Sequence, residues 1–532
     1  MVRTLLINGR IYSPWARDAS AMLVTDSEVA WLGEDASATT MSADRTVDLD
    51  GALVIPAFVD SHFHTTDTGL SLSGLELGTA GTLAEALRAV ERAARASGGR
   101  PLLGSGWDET RWPEGRAPTA AELDRASYGG VVYLARTDAH SAVVSSALLA
   151  SVPGIAGLDG YSPDGRLTKA AHHAARAVAR SAITAGQRAE LHRTALRHAA
   201  ACGVAAVHEM AGPEISSAED LAALLALVRE AGEPYPEVYG YWGELRGAAA
   251  AAELGAIGAG GDLFCDGSIG SHTAGMLEPY VDRPGECGYL RYETAELAEH
   301  LVECTEAGLQ GGFHAIGDAA TGQVVDAMRL AAERLGARVA TAGHRIEHAE
   351  LITDVPALAA SGLIASVQPA FDATWGGAHG MYAQRLGAER AGRLNPLAAL
   401  AAAGTPLAFG ADSPVTPVDP WGAVRAAIHP TNPAHALSPR AALAAHTRGG
   451  WRAARAEQDS SGVLAPGSPA SYAVFAAGPL AVDAADERLS RWSTDERSGV
   501  PGLPDLIPGR ELPRCLRTVV RGRQIFDSGE LA

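Results

Sequence analysis

Lysine is almost absent from this chain, since Lys169 is the only lysine and every other basic residue is arginine. Basic residues are also outnumbered: 43 lysine and arginine residues stand against 62 aspartate and glutamate residues, and the net charge is −19. A chain with this charge is repelled by phosphate backbones and by anionic bilayers. The composition therefore argues against nucleic acid or a membrane surface as the main partner.

Cysteine and long apolar runs are scarce as well. The five cysteines are scattered and form no CxxC pair, which is typical of reduced thiols and predicts a cytoplasmic protein. Residues 1–10 turn polar too early for a signal peptide, and no apolar run approaches the length of a membrane span. At 532 residues, 47% hydrophobic and 20% charged, the chain suits either a large barrel with an accessory domain or three ordinary soluble domains.

The most informative stretch is residues 51–64, where a short apolar run rich in β-branched residues ends in two histidines. Such a run predicts a buried strand. Because side chains alternate along a strand, His62 and His64 point the same way and can reach one metal ion. Taken alone, however, such a pair is more often two hydrogen-bonded histidines at a strand end than a metal site.

Strand and helix patterns alternate over most of the chain after residue 200, which predicts a parallel α/β fold. With the strand that carries His62 they give eight strands, the number that a closed (β/α)₈ barrel requires. The other seven are predicted at residues 203–209, 237–241, 262–267, 312–314, 342–348, 363–368 and 406–412.

Both ends of the chain follow a different pattern from this alternation. Residues 3–50 and the C-terminal tail predict short strands, which fit one small sandwich, and Asn8-Gly9 predicts a hairpin turn. Residues 70–168 predict strands that end in polar and aromatic clusters, as pocket linings often do. A core position for Trp107 and solvated positions for the acidic residues explain that pattern equally well.

Four predicted barrel strands end in side chains that bind metals: His62 with His64, His314, His348 and Asp412. Singly, His314 is explained as a core or capping histidine and Asp412 as a helix N-cap. In a parallel barrel, though, the C-terminal ends of the strands converge on one face, so their recurrence there favours a metal centre. Imidazoles with a carboxylate suit zinc, with manganese, iron and nickel as alternatives.

Six motifs in one order give the chain a close resemblance to the amidohydrolase superfamily of metal-dependent hydrolases. It most resembles the YtcJ-like branch, which includes N-substituted formamide deformylase. The motifs are Pro56-Ala57-Phe58-Val59-Asp60-Ser61-His62-Phe63-His64, Gly106-Trp107-Asp108-Glu109, Asp266-Gly267-Ser268-Ile269-Gly270, His314-Ala315-Ile316-Gly317-Asp318, Arg345-Ile346-Glu347-His348-Ala349 and Gly410-Ala411-Asp412-Ser413-Pro414-Val415.

The resemblance implies a (β/α)₈ TIM-type barrel over residues 56–454 and a small β-sandwich domain formed by residues 1–55 and 455–532. It also implies an insertion after the first barrel strand, over residues 70–168. In this family the matching histidines and aspartate are metal ligands or catalytic groups, which here are His62, His64, His314, His348 and Asp412.

One departure from the family concerns the metal bridge. Many members bridge two metal ions with a carboxylated lysine on the fourth strand, but here Asp262 stands at that position and Lys169 lies in the insertion. An aspartate is shorter than a carbamate, so we expect it not to reach. The alternatives are a single metal ion, or a bridge formed by Glu209 or Asp266.

The expected reaction is hydrolysis of an amide-type C–N bond, N-acyl or N-formyl, in a small molecule by a metal-activated water. Asp412 is the predicted general base, with His348 and Asp266 as further catalytic residues. Other residues are predicted to shape a pocket whose acidic groups favour an amine-bearing substrate: Trp107, Asp108, Glu109 and His140. The alternatives are deamination of an amino-heterocycle and a non-catalytic metal-binding barrel. A homodimer is one alternative for the assembly.

Overall fold

Eight parallel strands form the central sheet of the protein, seen here in a computed structural model that describes residues 1–16, 18–230, 232–456, 460–478, 480–481 and 502–531. Neighbouring strands pair in chain order. A parallel bridge between Phe63 and Ser413 brings the two edges of the sheet together. The predicted (β/α)₈ barrel is therefore confirmed. Its strands are β1 Phe58–Phe63, β2 Val204–Ala211, β3 Glu237–Trp242, β4 Gly258–Ala259, β5 Gln310–Ala315, β6 Arg345–His348, β7 Ile364–Val367 and β8 Leu407–Phe409.

The fourth strand differs from the sequence prediction. Residues 262–267 were predicted as a strand, but β4 ends at Ala259, and beyond it Phe264 makes only an isolated bridge to His314. Gly260 and Gly261 have φ of 140° and 81°, a left-handed conformation that favours glycine, and they turn the chain out of the sheet. Asp262 consequently lies just beyond the C-terminal end of a two-residue strand.

Alanine-rich helices surround the barrel, and their small side chains pack closely on the strands. The helix Ala185–Ala201, for example, buries Ala195, Leu196 and Ala199 in the same apolar cluster as Phe58 and Val204. Within the described residues, no helix is both long and apolar enough to span a bilayer. The helices of this region are Thr65–Ser73, Ala185–Ala201, Ala218–Glu230, Ala248–Leu254, Thr294–Ala307, Asp318–Leu335, Ala337–Thr341, Val355–Ser361, Pro369–Trp375, Met381–Leu386, Ala388–Ala391, Leu397–Ala402, Pro420–Ile428, Pro439–His446 and Arg448–Ala453, with a 3₁₀ turn at Pro433–His435.

Two further sheets pack face to face and join the two ends of the chain. Leu6 from one sheet and Val54 and Val474 from the other belong to a single apolar cluster. One sheet contains Glu28–Gly33, Ala21–Thr25, Arg3–Ile7 and Arg45–Asp48, and the other contains Arg10–Ile11, Leu53–Pro56, Tyr472–Ala476, Arg514–Val520 and Arg523–Asp527. Two short strands, Leu480–Ala481 and Leu503–Pro504, pair with each other. The helix Asp35–Ala38 follows the strand Glu28–Gly33 in the chain. Residues 482–501, within the predicted second half of the sandwich, lie outside the described residues.

The hairpin predicted at Asn8-Gly9 is wrong. The strands on either side, Arg3–Ile7 and Arg10–Ile11, belong to different sheets, and Arg10–Ile11 pairs with Leu53–Pro56. Asn8 does adopt the left-handed conformation that such a turn needs, with φ of 57°. The two residues therefore form a turn, as the sequence predicts, but this turn connects one sheet of the sandwich to the other.

The segment between β1 and β2 contains a sheet of its own, in which neighbouring strands follow one another along the chain. The helix Lys169–Arg180 packs on this sheet through Ala171, Ala175 and Ala179, so the name insertion here covers the predicted residues 70–168 together with this helix. The strands are Leu75–Glu76, Leu102–Trp107, Val132–Arg136, Ser141–Val144 and Arg166–Thr168. The remaining helices are Leu83–Ser97, Ala120–Ala126 and Ser146–Ser151, with 3₁₀ turns at Glu109–Arg111 and Ile155–Gly157.

A buried ion pair occupies the interior of the barrel. Arg345 is fully buried and donates to both carboxylate oxygens of Glu347, at 2.7 and 3.0 Å. The same guanidinium donates to the Tyr241 hydroxyl at 2.9 Å and to the Ser61 carbonyl at 2.6 Å. These bonds hold Glu347 beneath the C-terminal mouth of the barrel, where its other contact is His62.

We expect Arg345→Met to lower the free energy of unfolding by about 3–5 kcal/mol, because it leaves the Glu347 carboxylate buried without its partner. The midpoint of urea denaturation measures this change. Arg393→Met is the matched control, since Arg393 is exposed and pairs with the exposed Glu389. Equal midpoints for the two variants would show that the buried pair contributes nothing.

Candidate metal centre

Four histidines and an aspartate converge at the C-terminal mouth of the barrel. His62 lies near the end of β1, His64 directly after it, His314 in β5 and His348 at the end of β6. Asp412 follows β8 and donates its backbone N–H to the His62 carbonyl at 2.8 Å. All five are buried. The structure thus brings together the five residues that the sequence predicted as a group.

A sixth residue, Asp262, lies between the imidazoles. Its carboxylate oxygens are 3.4 Å from His62 Nε2, 3.2 Å from His64 Nε2, 3.3 Å from His314 Nδ1 and 3.4 Å from His348 Nε2. The expectation that an aspartate here is too short to reach is wrong. Because the strand before it is short, Asp262 sits over the mouth of the barrel and needs no longer side chain.

Asp412 faces the same imidazoles from the other edge of the cluster. Its Oδ1 is 3.1 Å from His64 Nε2 and 3.5 Å from His62 Nε2, and its Oδ2 is 4.0 Å from His348 Nδ1. Residue 412 has φ of 53°, a left-handed conformation that aspartate tolerates better than most residues. That conformation directs the chain after β8 back towards β1.

Outer hydrogen bonds orient the imidazoles of β1 and β6. The Nδ1 atoms of His62, His64 and His348 contact Glu347 Oε2 at 2.9 Å, the Met210 carbonyl at 3.0 Å and Gln368 Oε1 at 2.8 Å, respectively. These oxygens accept hydrogen bonds, so Nδ1 carries the proton and the Nε2 lone pair faces the cluster.

The imidazole of His314 is oriented the other way round. Its Nε2 contacts the Gly267 carbonyl at 3.2 Å, so Nδ1 is the nitrogen that faces Asp262. Among the described residues, the buried Nε2 of His62 has no hydrogen-bond partner. Imidazoles that are anchored on the outside, and whose other nitrogens face shared carboxylates, form a donor set that suits a metal ion such as zinc.

The pKa values of the histidines and aspartates in the cluster are shifted by their mutual attraction. Burial alone would lower the pKa of the histidines, but Asp262 and Asp412 outweigh it, raising the pKa of His62 to about 10 and that of His64 well above its usual range. Burial would raise the pKa of both aspartates, but the facing histidines hold it below the usual range. Metal ions and protons therefore compete for the same nitrogens.

Three overlapping groups of side chains are close enough to share an ion, with ligand atoms within 4.8 Å of one another. They are His62 with His64 and Asp262, His62 with His348 and Asp412, and Asp262 with His314 and His348. Asp262 belongs to two of these groups. His62 and His348 each belong to two of them as well, so the side chains offer several overlapping donor sets for a metal ion.

The other two candidate metal-bridging carboxylates are engaged elsewhere. Glu209 accepts hydrogen bonds from the backbone N–H and the hydroxyl of Thr65, at 2.8 and 2.5 Å. Asp266 accepts three backbone N–H groups, from Gly275, Ile316 and Gly317, and its Oδ1 is 3.7 Å from His314 Nε2. Asp266 thus supports the loop behind His314.

Of the four predicted pocket residues, only His140 lines the cavity above the cluster. Trp107 is buried in the apolar core of the insertion and donates to the Leu134 carbonyl at 2.9 Å. Asp108 and Glu109 bind the guanidinium of Arg136, at 3.2 and 2.8 Å. The acidic motif therefore positions an arginine, and it is this arginine that lines the cavity.

The cavity itself combines the cluster with an apolar wall and three arginines. The two carboxylates of its outer wall, Asp67 and Asp138, pair with arginines of the same wall, so this wall does not support the expected preference for an amine-bearing substrate. Lining residues outside the cluster include Leu70, Leu103, Arg136, His140, Arg176, Arg180, Ile215, Phe264 and Val415. The arginines all come from the insertion, and sequence patterns gave no signal for them beyond the end of the strand that carries Arg136.

Comparisons with known proteins agree with this architecture. A model of the amidohydrolase family, Amidohydro_3, matches residues 45–526. The YtcJ protein of Bacillus subtilis is 26% identical over 485 residues, covering 83% of this chain and 87% of YtcJ. N-substituted formamide deformylase of Arthrobacter pascens is 26% identical over 167 residues, 30% of each chain.

A solved structure extends the likeness to the whole fold. The crystal structure of an uncharacterized metal-dependent hydrolase from Pyrococcus horikoshii OT3 is 28% identical, with a TM-score of 0.72 over 90% of this chain and 98% of that one. The family model covers nearly the entire chain. This chain therefore belongs to the amidohydrolase family, as a metal-dependent hydrolase of the YtcJ-like branch.

Proposed function

We propose that the protein hydrolyses an amide-type C–N bond, N-acyl or N-formyl, of a small molecule. The observation that carries this proposal is the position of Asp262 within 3.2–3.4 Å of four imidazoles, beside Asp412 and at the floor of a cavity. The similarity to a formamide deformylase supports the choice of a C–N bond.

We further propose that the site binds two zinc ions, which His62, His64, His314, His348 and Asp412 would hold together with Asp262, in the place of the family's carboxylated lysine. A divalent ion bound by such ligands lowers the pKa of water from about 15.7 to near 7, which supplies a nucleophile at neutral pH.

Asp412 is the proposed proton carrier. It is ionised at neutral pH, because the facing histidines hold its pKa below the usual range despite burial. It lines the cavity, so its carboxylate can take a proton from the attacking water and return it to the departing nitrogen. His348, whose Nδ1 is 4.0 Å from Asp412 Oδ2, has its ring fixed by Gln368. Asp266 holds the loop that positions His314 and does not exchange protons with substrate.

Asp412→Asn should lower kcat for an N-formyl or N-acyl substrate by about 10²- to 10⁴-fold, the usual contribution of a general base. Asp419→Asn is the matched control, because Asp419 is exposed and caps the helix Pro420–Ile428, where asparagine caps equally well. Turnover by the Asp412 variant at the control's rate would remove Asp412 as the proton carrier. Release of ammonia from amino-heterocycles, with no cleavage of N-acyl compounds, would replace the proposed reaction by deamination.

Asp262→Asn should bind fewer metal ions per chain than the unmodified protein, whereas Glu209→Gln should bind the same number. The reason is that Asp262 contacts all four imidazoles and Glu209 is held by Thr65. Elemental analysis after metal loading and dialysis gives both numbers. If the Asp262 variant binds as many metal ions as the unmodified protein, or if the Glu209 variant binds fewer, a group other than Asp262 bridges the ions.

Removal of metal with a chelator should lower the melting temperature, because an ion that binds only the native state stabilises it, by about 2.7 kcal/mol at 100 times its dissociation constant. His62→Ala should abolish this chelator effect, since His62 belongs to two of the ligand groups. His379→Ala, at an exposed histidine, should retain it. A chelator shift of equal size in both variants would contradict the assignment of His62.

A further inference from the structure

Arg176 lies in the wall of the cavity above the metal centre. It belongs to the helix Lys169–Arg180 of the insertion and is 5% exposed. Neither the family resemblance nor the sequence pattern pointed to this residue. Its surroundings differ from those of the two other arginines in the same wall.

The other two arginines are neutralised by neighbouring carboxylates. Arg136 pairs with Asp138 at 2.8 Å as well as with Asp108 and Glu109. Arg180 pairs with Asp67. These two guanidiniums have little capacity left to attract an anion from solution.

No carboxylate among the described residues lies within 4.0 Å of the Arg176 guanidinium. It donates instead to neutral groups, namely the Ala139 carbonyl at 2.6 Å, the Glu214 carbonyl at 3.3 Å and the ring of His172. The nearby Glu214 carboxylate is bound by Arg291, with Nη2 at 2.5 Å from Oε1.

A guanidinium has five N–H groups, and the Nε of Arg176 has no hydrogen-bond partner in the described part of the chain. Buried charges are almost always paired, so an unpaired guanidinium facing a cavity is a site for an anion.

The neighbouring histidines are consistent with this positive environment. Burial, followed by the charge of Arg176, lowers the pKa of His173 to about 3 and that of His172 well below its usual range. Both rings are therefore neutral near pH 7 and add no competing charge. The apolar residues Leu103, Ile215 and Phe264 complete the same wall.

We propose that Arg176 binds a carboxylate of the substrate, so that the enzyme acts on N-acyl compounds that carry a free carboxylate, such as N-acylated amino acids. The planar guanidinium matches a carboxylate with two parallel hydrogen bonds, and a single negative charge balances its single positive charge. Phe264 and its apolar neighbours contact the hydrophobic part of such a molecule. This inference rests on the proposed function for its reaction, but not for its binding step.

Binding to the metal-loaded protein tests the role of Arg176 separately from the rate of turnover. By calorimetry, N-benzoylglycine should bind at least tenfold more tightly than its uncharged analogue N-benzoylglycinamide. Arg176→Gln should abolish this preference. Arg176→Lys keeps the positive charge but lacks the two parallel N–H donors of the guanidinium, so it should retain part of the preference. Arg92→Gln, at an exposed arginine of the insertion, should leave it unchanged.

Three results would overturn the anchor: no binding of N-benzoylglycine, equal affinity for acid and amide, or a preference that survives in Arg176→Gln. The last would show that the metal ions alone select the carboxylate. If the two compounds are hydrolysed, the ratio of their kcat/KM values should fall by the same factor in Arg176→Gln. This ratio does not depend on the fraction of protein that folds. Absence of hydrolysis with the preference intact would reject the proposed reaction and keep the anchor.

Discussion

The carboxylate of Asp262 lies among imidazoles from three strands, and the mouth of the barrel is arranged around that contact. From below, Arg345 holds Glu347, and Glu347 holds the ring of His62. The charges thus alternate from the barrel interior to the mouth: guanidinium, carboxylate, imidazole, carboxylate. Each group is oriented by the one beneath it, so the ligands are preorganised before any ion arrives. Little reorganisation then accompanies metal binding.

The barrel and the insertion form different parts of the cavity. The barrel strands supply the anionic floor with its histidines, which attracts divalent cations. The insertion supplies the wall, where Asp108 and Glu109 fix Arg136, while no carboxylate of the described residues pairs with Arg176. The floor of the cavity thus carries negative charge, and the wall carries positive charge. A bound molecule with a carbonyl at one end and an anionic group at the other is oriented by both.

The fold and most of the site could be predicted because their signals are local. Alternation along β1 places His62 and His64 on one side, and the ends of parallel strands bring His314, His348 and Asp412 to them. Asp262 could not be predicted as a ligand, since its reach depends on where a two-residue strand ends, and a glycine pair sets that point. Trp107, Asp108 and Glu109 matched a family motif, but the motif did not show that their partner would be Arg136.

The junction between the sandwich and the barrel is a single residue, Ala57. The strand Leu53–Pro56 ends there, β1 begins at Phe58, and Tyr472–Ala476 from the far end of the chain pairs alongside Leu53–Pro56. Removing the C-terminal part of the chain would remove the strand that pairs with Leu53–Pro56. Ala57, five residues before His62, would then be held less firmly. The strands Tyr472–Ala476 and Arg514–Val520 thus support a candidate metal centre that lies in the barrel, outside their own sheet.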